Sequence, residues 1–486
     1  MKTLLFFDRS ELTELYASLS LKMKDEFNII HVAYSQYEEK ILIDKYGIKA
    51  DYIFQDLVGS KLNGGVNMET LEEIDSLIVA ESKGRFSLNS SIQSDRGFSL
   101  LEYDEALLLS QSQYLVWKEI FQLHNIDFFY HEPPSLFMNH IASFLCLSNN
   151  ARYCYDSMIK AESQYNYILL MQDTAFSPEI NIGMSYISEK DILDNKERID
   201  SFVNTFRESY NVFLGDKIKS NFNYFSLLKK SFRDYLINKR ARYKLRKIED
   251  NIDYYLFSKN NSWDKLKNII NYKLHVKFDD LDTTKNYYYY SMNLEPEATV
   301  LYLGDGIYEN QIKLIVNIAS QLPPNTYLYV KDHPHFIGYR HYLDYVKLMN
   351  VPNIKVLKAE IPGKQIIKSC IGVFMVNGTA GFEAIMLNKQ VYTFGNMFFN
   401  VCERVNYIKN IKDLREIIYN NIGVVYEDDF RLHKFILAFL NSTHEGVTDF
   451  FQGRMSLYDI DYDTNITKIA ANLSLFFKTH APNNLN

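Results

Sequence analysis

Two polar clusters in the second half of the chain each follow an apolar segment with the pattern of a β-strand. Residues 326–330 end at Lys331 and His333, and the segment 371–376 ends at Asn377. The proline after His333 would end the hydrogen-bond ladder of the first strand. In an open parallel sheet, ligands bind beyond the carboxyl ends of the strands. The sequence therefore predicts that both clusters face one ligand crevice.

The second cluster leads directly into a helical pattern, which predicts a helix amino terminus at this crevice. Thr379 is the predicted N-cap, and the amides of the first turn would then face a bound anion. His333 would donate a hydrogen bond from the other side, and Glu383, one turn into the helix, would reach a vicinal diol such as that of ribose. The predicted nucleotide-binding residues are Lys331, His333, Asn377, Gly378, Thr379, Ala380, Gly381 and Glu383.

Four segments of this region, 294–299, 328–334, 377–384 and 391–395, resemble a known family. Residues 286–400 are similar to the carboxyl-terminal domain of the bacterial capsule polysaccharide biosynthesis glycosyltransferases, a group that includes Kdo (ulosonic acid) transferases of GT-B fold. The resemblance implies that the His-Pro loop and the Gly-x-x-Gly-x-Glu helix hold the nucleotide of a sugar donor. It also implies an α/β protein with two Rossmann-like domains that face each other across a cleft, with a helical insertion.

The first half of the chain opens with a strand, helix, strand pattern, and a later predicted strand ends in polar residues. Residues 126–130 read as a buried strand that ends at His131 and Glu132. In a GT-B protein these side chains would look towards the nucleotide loops. A group that takes a proton from an acceptor hydroxyl must be a carboxylate or an imidazole. We therefore predict Glu132 as the catalytic base, with His131 second; the alternative is a turn that leads into a helix and has solvated side chains.

Other polar residues of the first half have alternative interpretations. Asp8, at the end of the first predicted strand, is expected to cap its loop rather than to act in catalysis, and Asp156 is a third candidate base. The segment 87–98 is polar and lacks periodicity, which predicts a surface loop. Within it, Asp95 and Arg96 are expected to form a solvated pair; the alternative is a contact with the acceptor.

Basic residues are concentrated in one part of the chain. Residues 217–247 contain eleven Lys or Arg and one acidic residue, Asp234, whereas the whole chain has a net charge of -7. That overall charge argues against a nucleic-acid-binding protein. A basic helical segment with interleaved aromatic residues suits an anionic membrane surface. The alternative for this segment is a solvated linker helix.

Cysteines, acidic pairs and apolar runs set further limits. The four cysteines have no CxxC spacing and read as buried thiols. The amino terminus is too short an apolar run for a signal peptide, and no segment reaches about 18 apolar residues, so we expect a cytoplasmic protein, peripheral at most on the inner face of the membrane. Two Asp-x-Asp matches, Asp280 with Asp282 and Asp459 with Asp461, do not follow buried strands. We therefore expect no metal site and no cofactor besides the donor.

The length of 486 residues predicts two or three domains. We predict an acceptor domain at 1–185, a basic helical insertion at 186–284, a nucleotide-sugar domain at 285–445 and a helix that packs back on the domains at 446–486.

The leading hypothesis is a metal-independent glycosyltransferase of surface glycan synthesis. On the resemblance, the donor is a CMP-activated ulosonic or nonulosonic acid, and the acceptor is a glycan or a lipid-linked glycan. Lys331 or Arg340 would pair with the donor carboxylate, and the glycine turn at Gly304 would present backbone amides to the donor sugar. The alternatives are a UDP-sugar, GDP-sugar or CDP-polyol donor, and a non-catalytic scaffold at the membrane surface.

Overall fold

Two β-sheets organise the chain, and each lies at the centre of an α/β half. The structure, a computed structural model, describes residues 1–95, 97–98, 101–161, 164–208, 229, 232, 262–295, 301–304, 310–333, 336–449 and 458–480. The strands are β1 Lys2–Asp8, β2 Phe27–Ala33, β3 Tyr52–Ile53, β4 Phe128–Tyr130, β5 Arg152–Ala161, β6 Gln164–Met171, β7 Tyr287–Ser291, β8 Tyr327–Lys331, β9 Ile354–Leu357, β10 Gly372–Met375, β11 Gln390–Thr393, β12 Val405–Tyr407 and β13 His444–Glu445.

Helices connect these strands. They are α1 Leu12–Met23, α2 Gln36–Ile41, α3 Phe54–Lys61, α4 Met68–Glu81, α5 Leu88–Ser94, α6 Tyr103–Leu123, α7 Phe137–Ser148, α8 Pro178–Tyr186, α9 Glu189–Asp194, α10 Lys196–Glu208, α11 Ser262–His275, α12 Gln311–Gln321, α13 Tyr342–Met349, α14 Gly363–Ser369, α15 Thr379–Met386, α16 Leu414–Asn420, α17 Phe430–Asn441 and α18 Tyr462–Thr479. A π-helix spans Leu42–Tyr46, and 3₁₀ turns span Leu62–Gly64, Gln172–Thr174, Phe398–Val401 and Ile411–Asp413.

The first sheet has the strand order β13-β6-β5-β4-β1-β2-β3. Strands β1 to β5 run parallel, whereas β6 is antiparallel to both β5 and β13. Every residue of β1 from Thr3 to Asp8 is buried, as expected for a parallel strand with helices on both faces. The strand order changes direction between β1 and β4, so their carboxyl ends border a crevice.

The second sheet is entirely parallel and has the order β12-β11-β10-β7-β8-β9. In the chain order of this half, that is the 3-2-1-4-5-6 arrangement of a Rossmann fold, with its change of direction between β7 and β10. The central strand β7 carries four consecutive buried tyrosines, from Tyr287 to Tyr290. The predicted pair of Rossmann-like halves is confirmed.

The carboxyl edges of the two sheets meet around residues 301–304. The ring centroid of Tyr302 lies 4.5 Å from that of His140, near the start of α7, and 6.4 Å from that of Phe86. On the other side, the Asn396 amide after β11 donates to the Leu303 carbonyl at 2.8 Å. The two crevices therefore face each other, as the resemblance implies.

Part of the predicted insertion is helical, as α9, α10 and α11. The basic segment 217–247 lies outside the described residues except for Lys229 and Phe232, which are helical and exposed. At the end of the chain, α18 packs on the first half, where Ile469, Leu473 and Phe477 join the core of the first sheet.

The predicted surface loop at 87–98 is wrong, because 88–94 form the helix α5. The Ser87 side chain caps it by accepting from the Ser90 amide at 3.2 Å. Leu88 and Ile92, one turn apart, are buried. Two apolar residues among polar neighbours are enough for this helix because the surrounding core covers them.

The predicted solvated role of Asp95 is also wrong. Its side chain is buried and accepts from the backbone amides of Gly97 at 2.6 Å and Phe137 at 2.5 Å. Asp95 therefore joins the end of α5 to the start of α7, while Arg96 lies outside the described residues.

Among the described residues, no helix has the length and apolar character needed to span a membrane.

Candidate functional site

The crevice of the second half lies beyond the carboxyl ends of the neighbouring strands β7 and β10, where the strand order changes direction. Asn293, two residues past β7, donates from Nδ2 to the carbonyl of Asn377 at 2.9 Å and to its Oδ1 at 2.8 Å. Asn377 itself is buried just beyond β10. The amide pair therefore forms the floor of the crevice at the position where open α/β sheets bind ligands.

The helix α15 begins at this floor, but its N-cap is Gly378 rather than the predicted Thr379. Gly378 has φ of 117°, a conformation that glycine tolerates and threonine does not, and Thr379 is the first helical residue. Glycine has no side chain with which to accept from the first-turn amides. The start of α15 therefore has the positive character that favours an anion, and Thr379 and Ala380 lie at the surface or partly exposed there.

Gly381 has a packing role. A Cβ atom at this position would lie 2.7 Å from Met375 Sδ and 2.8 Å from Phe399 Cζ. The absence of a side chain lets α15 lie close against β10 and the 3₁₀ turn at 398–401. This close packing fixes the direction in which the first turn of the helix points.

Lys331 and Glu383 lie on this same edge of the sheet. Lys331 Nζ donates to the Ala359 carbonyl at 3.3 Å. Burial lowers the pKa of Lys331, while the nearby carboxylates of Asp332 and Glu383 raise it. The two predicted loops therefore share one crevice, with a cation from one loop close to the carboxylate of the other.

His333 is exposed at the rim of the crevice, and its backbone amide donates to Asp332 Oδ1 at 2.7 Å. Because β7 separates β8 from β10, the loops that carry His333 and Thr379 are two strand spacings apart, about 10 Å. They border the same edge, with the Asn293–Asn377 floor between them. A nucleoside phosphate has a suitable length to lie across this gap.

Arg340 is buried and binds protein groups. Its guanidinium donates to Asp332 Oδ2 at 3.0 Å, to Glu295 and to the Asn293 carbonyl at 3.2 Å. The neighbouring carboxylates raise its pKa against burial. In this structure Arg340 therefore ties the loops after β7 and β8 together and does not face the crevice.

Gln311 and Tyr345 complete this buried network. Gln311 Nε2 donates to Glu295 Oε1 at 2.6 Å, and the Tyr345 hydroxyl donates to Asp332 Oδ2 at 2.5 Å. Sequence reasoning missed both residues. The sequence offered one indication of this network, Glu295, because it lies in one of the four segments that carry the family resemblance.

Gly304 is buried at the junction between the two halves. The other two residues of its predicted glycine turn, Asp305 and Gly306, lie outside the described residues.

In the first half, the corresponding crevice contains an ion pair. Arg9 Nη1, after β1, lies 2.6 Å from Glu132 Oε1, after β4. The same oxygen accepts from Ser135 Oγ at 2.8 Å and from Asn139 Nδ2 at 3.3 Å. Glu132 is thus held in place at the crevice by residues that the sequence did not point to.

The comparison with known families falls on the second crevice. Residues 224–403 match the family model described as capsule polysaccharide biosynthesis protein. The resemblance drawn from residues 286–400 is therefore confirmed. The match contains every residue of the β7/β10 crevice described above, from Asn293 to Glu383.

Solved structures also align with the chain at low scores. Thermosulfurimonas dismutans KpsC, beta Kdo 2,4 transferase, is 12% identical with a TM-score of 0.31, over 72% of this chain and 87% of that chain. S. aureus MnaA in its UDP co-structure is 12% identical with a TM-score of 0.26, over 90% and 91%. Methanocaldococcus jannaschii UDP-GlcNAc 2-epimerase is 11% identical with a TM-score of 0.25, over 91% and 99%. Scores this low carry no inference about activity. None of the curated proteins matches the chain.

His131, the second candidate base, is fully enclosed. Its ring lies 4.8 Å from that of Phe7 and its Nε2 is 3.8 Å from Glu132 Oε1. Burial lowers the pKa of His131 to about 4, although the charge of Glu132 opposes the shift. The imidazole is therefore neutral at pH 7 and packed beneath the crevice.

Asp8 does not cap its loop through its side chain, contrary to the prediction. Its Oδ2 lies 2.9 Å from His31 Nδ1 on the neighbouring strand. Burial raises the pKa of Asp8, with His31 opposing this, and the carboxylate raises the pKa of His31 although burial lowers it. The pair is a buried cross-strand contact beneath the crevice floor.

The other acidic candidates also have partners. Asp156 accepts from the Tyr130 hydroxyl at 2.8 Å and from Thr448, and burial raises its pKa. Asp282 accepts from the Thr284 amide at 3.0 Å, and Asp461 caps α18. Their positions are explained by turns, a cap and a strand contact.

Proposed function

We propose that the chain is a glycosyltransferase of capsule or other surface glycan synthesis. It would transfer a Kdo-like ulosonic or nonulosonic acid from a CMP-activated donor to a glycan acceptor, without a metal ion. The observation that carries the proposal is the position of the β7/β10 crevice, with its Asn293–Asn377 floor and the uncapped start of α15, inside the segment 224–403 that matches the capsule family.

The donor side would act by stabilising the departing nucleotide phosphate. Hydrogen-bond donors that already point at the atom where negative charge develops lower the activation barrier, because they do not have to reorient during the reaction. The amides at the start of α15 are such donors, and His333 supplies a donor from the opposite rim. Glu383, one turn into α15, would accept from a ribose diol.

The donor carboxylate needs a cation. Arg340 is occupied by Asp332, Glu295 and the Asn293 carbonyl, which favours Lys331 for this role. Lys331 ends β8 at the crevice edge, and burial lowers its pKa because few water molecules can solvate the ammonium group. An anionic ligand beside Lys331 would stabilise its charged form.

The acceptor side would use Glu132 as the base. Its carboxylate lies at the carboxyl edge of the first sheet, which faces the second sheet across Tyr302. The Arg9, Ser135 and Asn139 contacts all go to Oε1 and fix the orientation of the group. A positioned base contributes roughly 10²- to 10⁴-fold to a transfer rate.

Calorimetric titration of the protein with CMP, UDP and GDP tests the proposal. We expect CMP to bind most tightly and His333→Ala to weaken it about 10- to 100-fold, the value of one hydrogen bond to a charged group. His275→Ala, at an exposed histidine outside the crevice, is the matched control and should leave the affinity unchanged. Tighter binding of UDP or GDP would replace the CMP donor with another nucleotide sugar. If none of the three nucleotides binds, the proposal of a nucleotide site is wrong.

A further inference from the structure

One surface of the second half combines exposed apolar side chains with lysines. We call it the α11 face; its apolar members are Ile270 (46% exposed) and Leu274 (69%). Single exposed apolar residues are ordinary on a protein surface, but two on successive turns of one helix, flanked by lysines, have the pattern of an interfacial amphipathic helix.

The helix α11 presents this face because its core side is opposite. Ile269 and Tyr272 are buried one turn apart, and Tyr272 packs its ring 4.9 Å from that of Tyr345 on α13. Ile270 and Leu274, also one turn apart, therefore point away from the core. The exposure of these two residues follows from the helix geometry and not from a misplaced core position.

The loop 338–343 lies along another flank of α11. Lys265 Nζ lies 3.5 Å from the centre of the Tyr339 ring, and the His275 ring is 5.4 Å from that of Tyr342 at the start of α13. These contacts hold α11 against the loop, and the α11 face itself lies on the helix.

Positive charge surrounds the apolar residues. Lys267, Lys273 and Lys277 are exposed on or just after α11. Two nearby acidic residues are paired with other lysines, Asp344 with Lys347 at 2.9 Å and Asp279 with Lys355 at 3.0 Å. Upstream in the same chain lies the segment 217–247 with its eleven basic residues. The charge therefore complements an anionic partner.

We propose that the α11 face binds the surface of an anionic lipid bilayer. Ile270 and Leu274 enter the boundary between headgroups and acyl chains, and the flanking lysines contact lipid phosphates, which is how interfacial amphipathic helices bind. Lysine suits this position because its long apolar stem follows the lipid while its charge reaches the headgroups. The proposal concerns a surface outside the nucleotide crevice and needs no donor, so it stands or falls separately from the proposed activity.

The α11 face is connected rigidly to the loop that carries His333. A Cβ atom at Gly338 would lie 2.4 Å from Ile269 Cγ1, so the loop touches α11 directly, and Asn268 Nδ2 donates to the Gly338 carbonyl at 3.4 Å. Binding of α11 to a bilayer would therefore hold the rim of the crevice at a fixed height above the lipid, where a lipid-linked acceptor would present its glycan.

A fluorescent label at Leu274→Cys tests the depth of insertion. The four native cysteines are buried, so an introduced surface cysteine is labelled selectively. We expect a blue shift of an environment-sensitive label on phosphatidylcholine vesicles that contain phosphatidylglycerol, and none on vesicles of phosphatidylcholine alone. Leu123→Cys, at an exposed leucine in the first half (63%), is the matched control and should not shift. An unshifted label at Leu274→Cys on the anionic vesicles would overturn the proposal.

Vesicle co-sedimentation of the full chain separates this face from the segment 217–247. Replacing Lys267 and Lys273 with glutamine should weaken binding about 30-fold, because each basic residue contributes about fivefold near an anionic surface. Ile270→Ser with Leu274→Ser should weaken it about tenfold, whereas Leu123→Ser should not change it. Circular dichroism spectra confirm that each variant is folded. Unchanged binding of both double variants would assign lipid binding to 217–247 alone and reject the α11 face.

Discussion

The two sheets have the same topology at their crevices but opposite electrostatic designs. Between β1 and β4 stands an ion pair, Arg9 with Glu132, in which the charges balance each other. Between β7 and β10 stands a neutral amide pair, Asn293 with Asn377, beside a helix start whose N-cap has no side chain. The second crevice thus keeps the positive end of a helix dipole and suits an anion. The first is balanced and suits a neutral hydroxyl and the proton it gives up.

The largest expected effect is on the first crevice. Glu132→Gln keeps the shape but removes the carboxylate, so we expect transfer to fall about 10²- to 10⁴-fold. CMP affinity, which depends on the other half, should not change. Glu119→Gln, at an exposed carboxylate paired with Lys61, is the control. Full activity in Glu132→Gln would show that Glu132 is not the base and that the first crevice has no chemical role that distinguishes it from the second.

The next effect is on the stability of the second crevice. Arg340→Met leaves Asp332 and Glu295 without their buried cation, which costs about 3 to 5 kcal/mol in the free energy of unfolding. Lys196→Met removes an exposed pair with Asp200 and should cost less than about 1 kcal/mol. Urea unfolding followed by circular dichroism measures both. Equal costs would show that the Arg340 network does not hold the loops.

The stability of the first half should depend on pH because of His131, which is buried beneath the first crevice. The pKa of His131 is about 4 in the folded chain, against 6.5 for the ordinary side chain. Below pH 6.5 the unfolded chain binds the extra proton first, so stability is complete above pH 6.5 and is lost as the pH falls towards 4, by about 3 kcal/mol.

This loss should be absent in His131→Phe, whose aromatic ring suits the neighbouring Phe7. The quantity to measure is the difference in unfolding free energy between the native chain and the variant at pH 7 and at pH 4. The exposed His275→Phe serves as the control. A difference that does not change with pH would mean that His131 is protonated in the folded state.

The smallest effect falls at the junction between the crevices. A Cβ atom at Gly395 would lie 2.7 Å from the carbonyl oxygens of both Leu303 and Val376, and these are backbone atoms that cannot rotate away. Gly395→Ala should therefore cost about 1 to 3 kcal/mol of stability. Gly59→Ala, in α3 with no atom within 4 Å, should be neutral or stabilise by up to about 1 kcal/mol. Thermal unfolding compares them, and an unchanged transition in Gly395→Ala would contradict the close approach.

The sequence predicted the parts of the fold that depend on local pattern. The strands that end at Lys331, Asn377 and His131 follow from apolar periodicity and proline, and the rule for open sheets then places their ends at a crevice. The switch from Thr379 to Gly378 as the N-cap could not be foreseen, because it depends on a backbone φ of 117°. Long-range pairs were also out of reach.

Arg9 and Glu132 illustrate this limit, since they are separated by 123 positions and neither has a local pattern that announces the other. The same holds for Arg340, whose charge suggested a ligand contact until its buried acidic partners were seen. The helix α5 escaped prediction because its burial comes from distant parts of the chain and not from its own composition.

The ring of Tyr302, packed against His140 and Phe86, has a consequence for motion. Substrates must enter and products must leave between the two sheets, yet this aromatic cluster joins the sheets at one end of the gap. Any separation of the halves would have to break these ring contacts, so the Tyr302 cluster resists opening at this end of the gap.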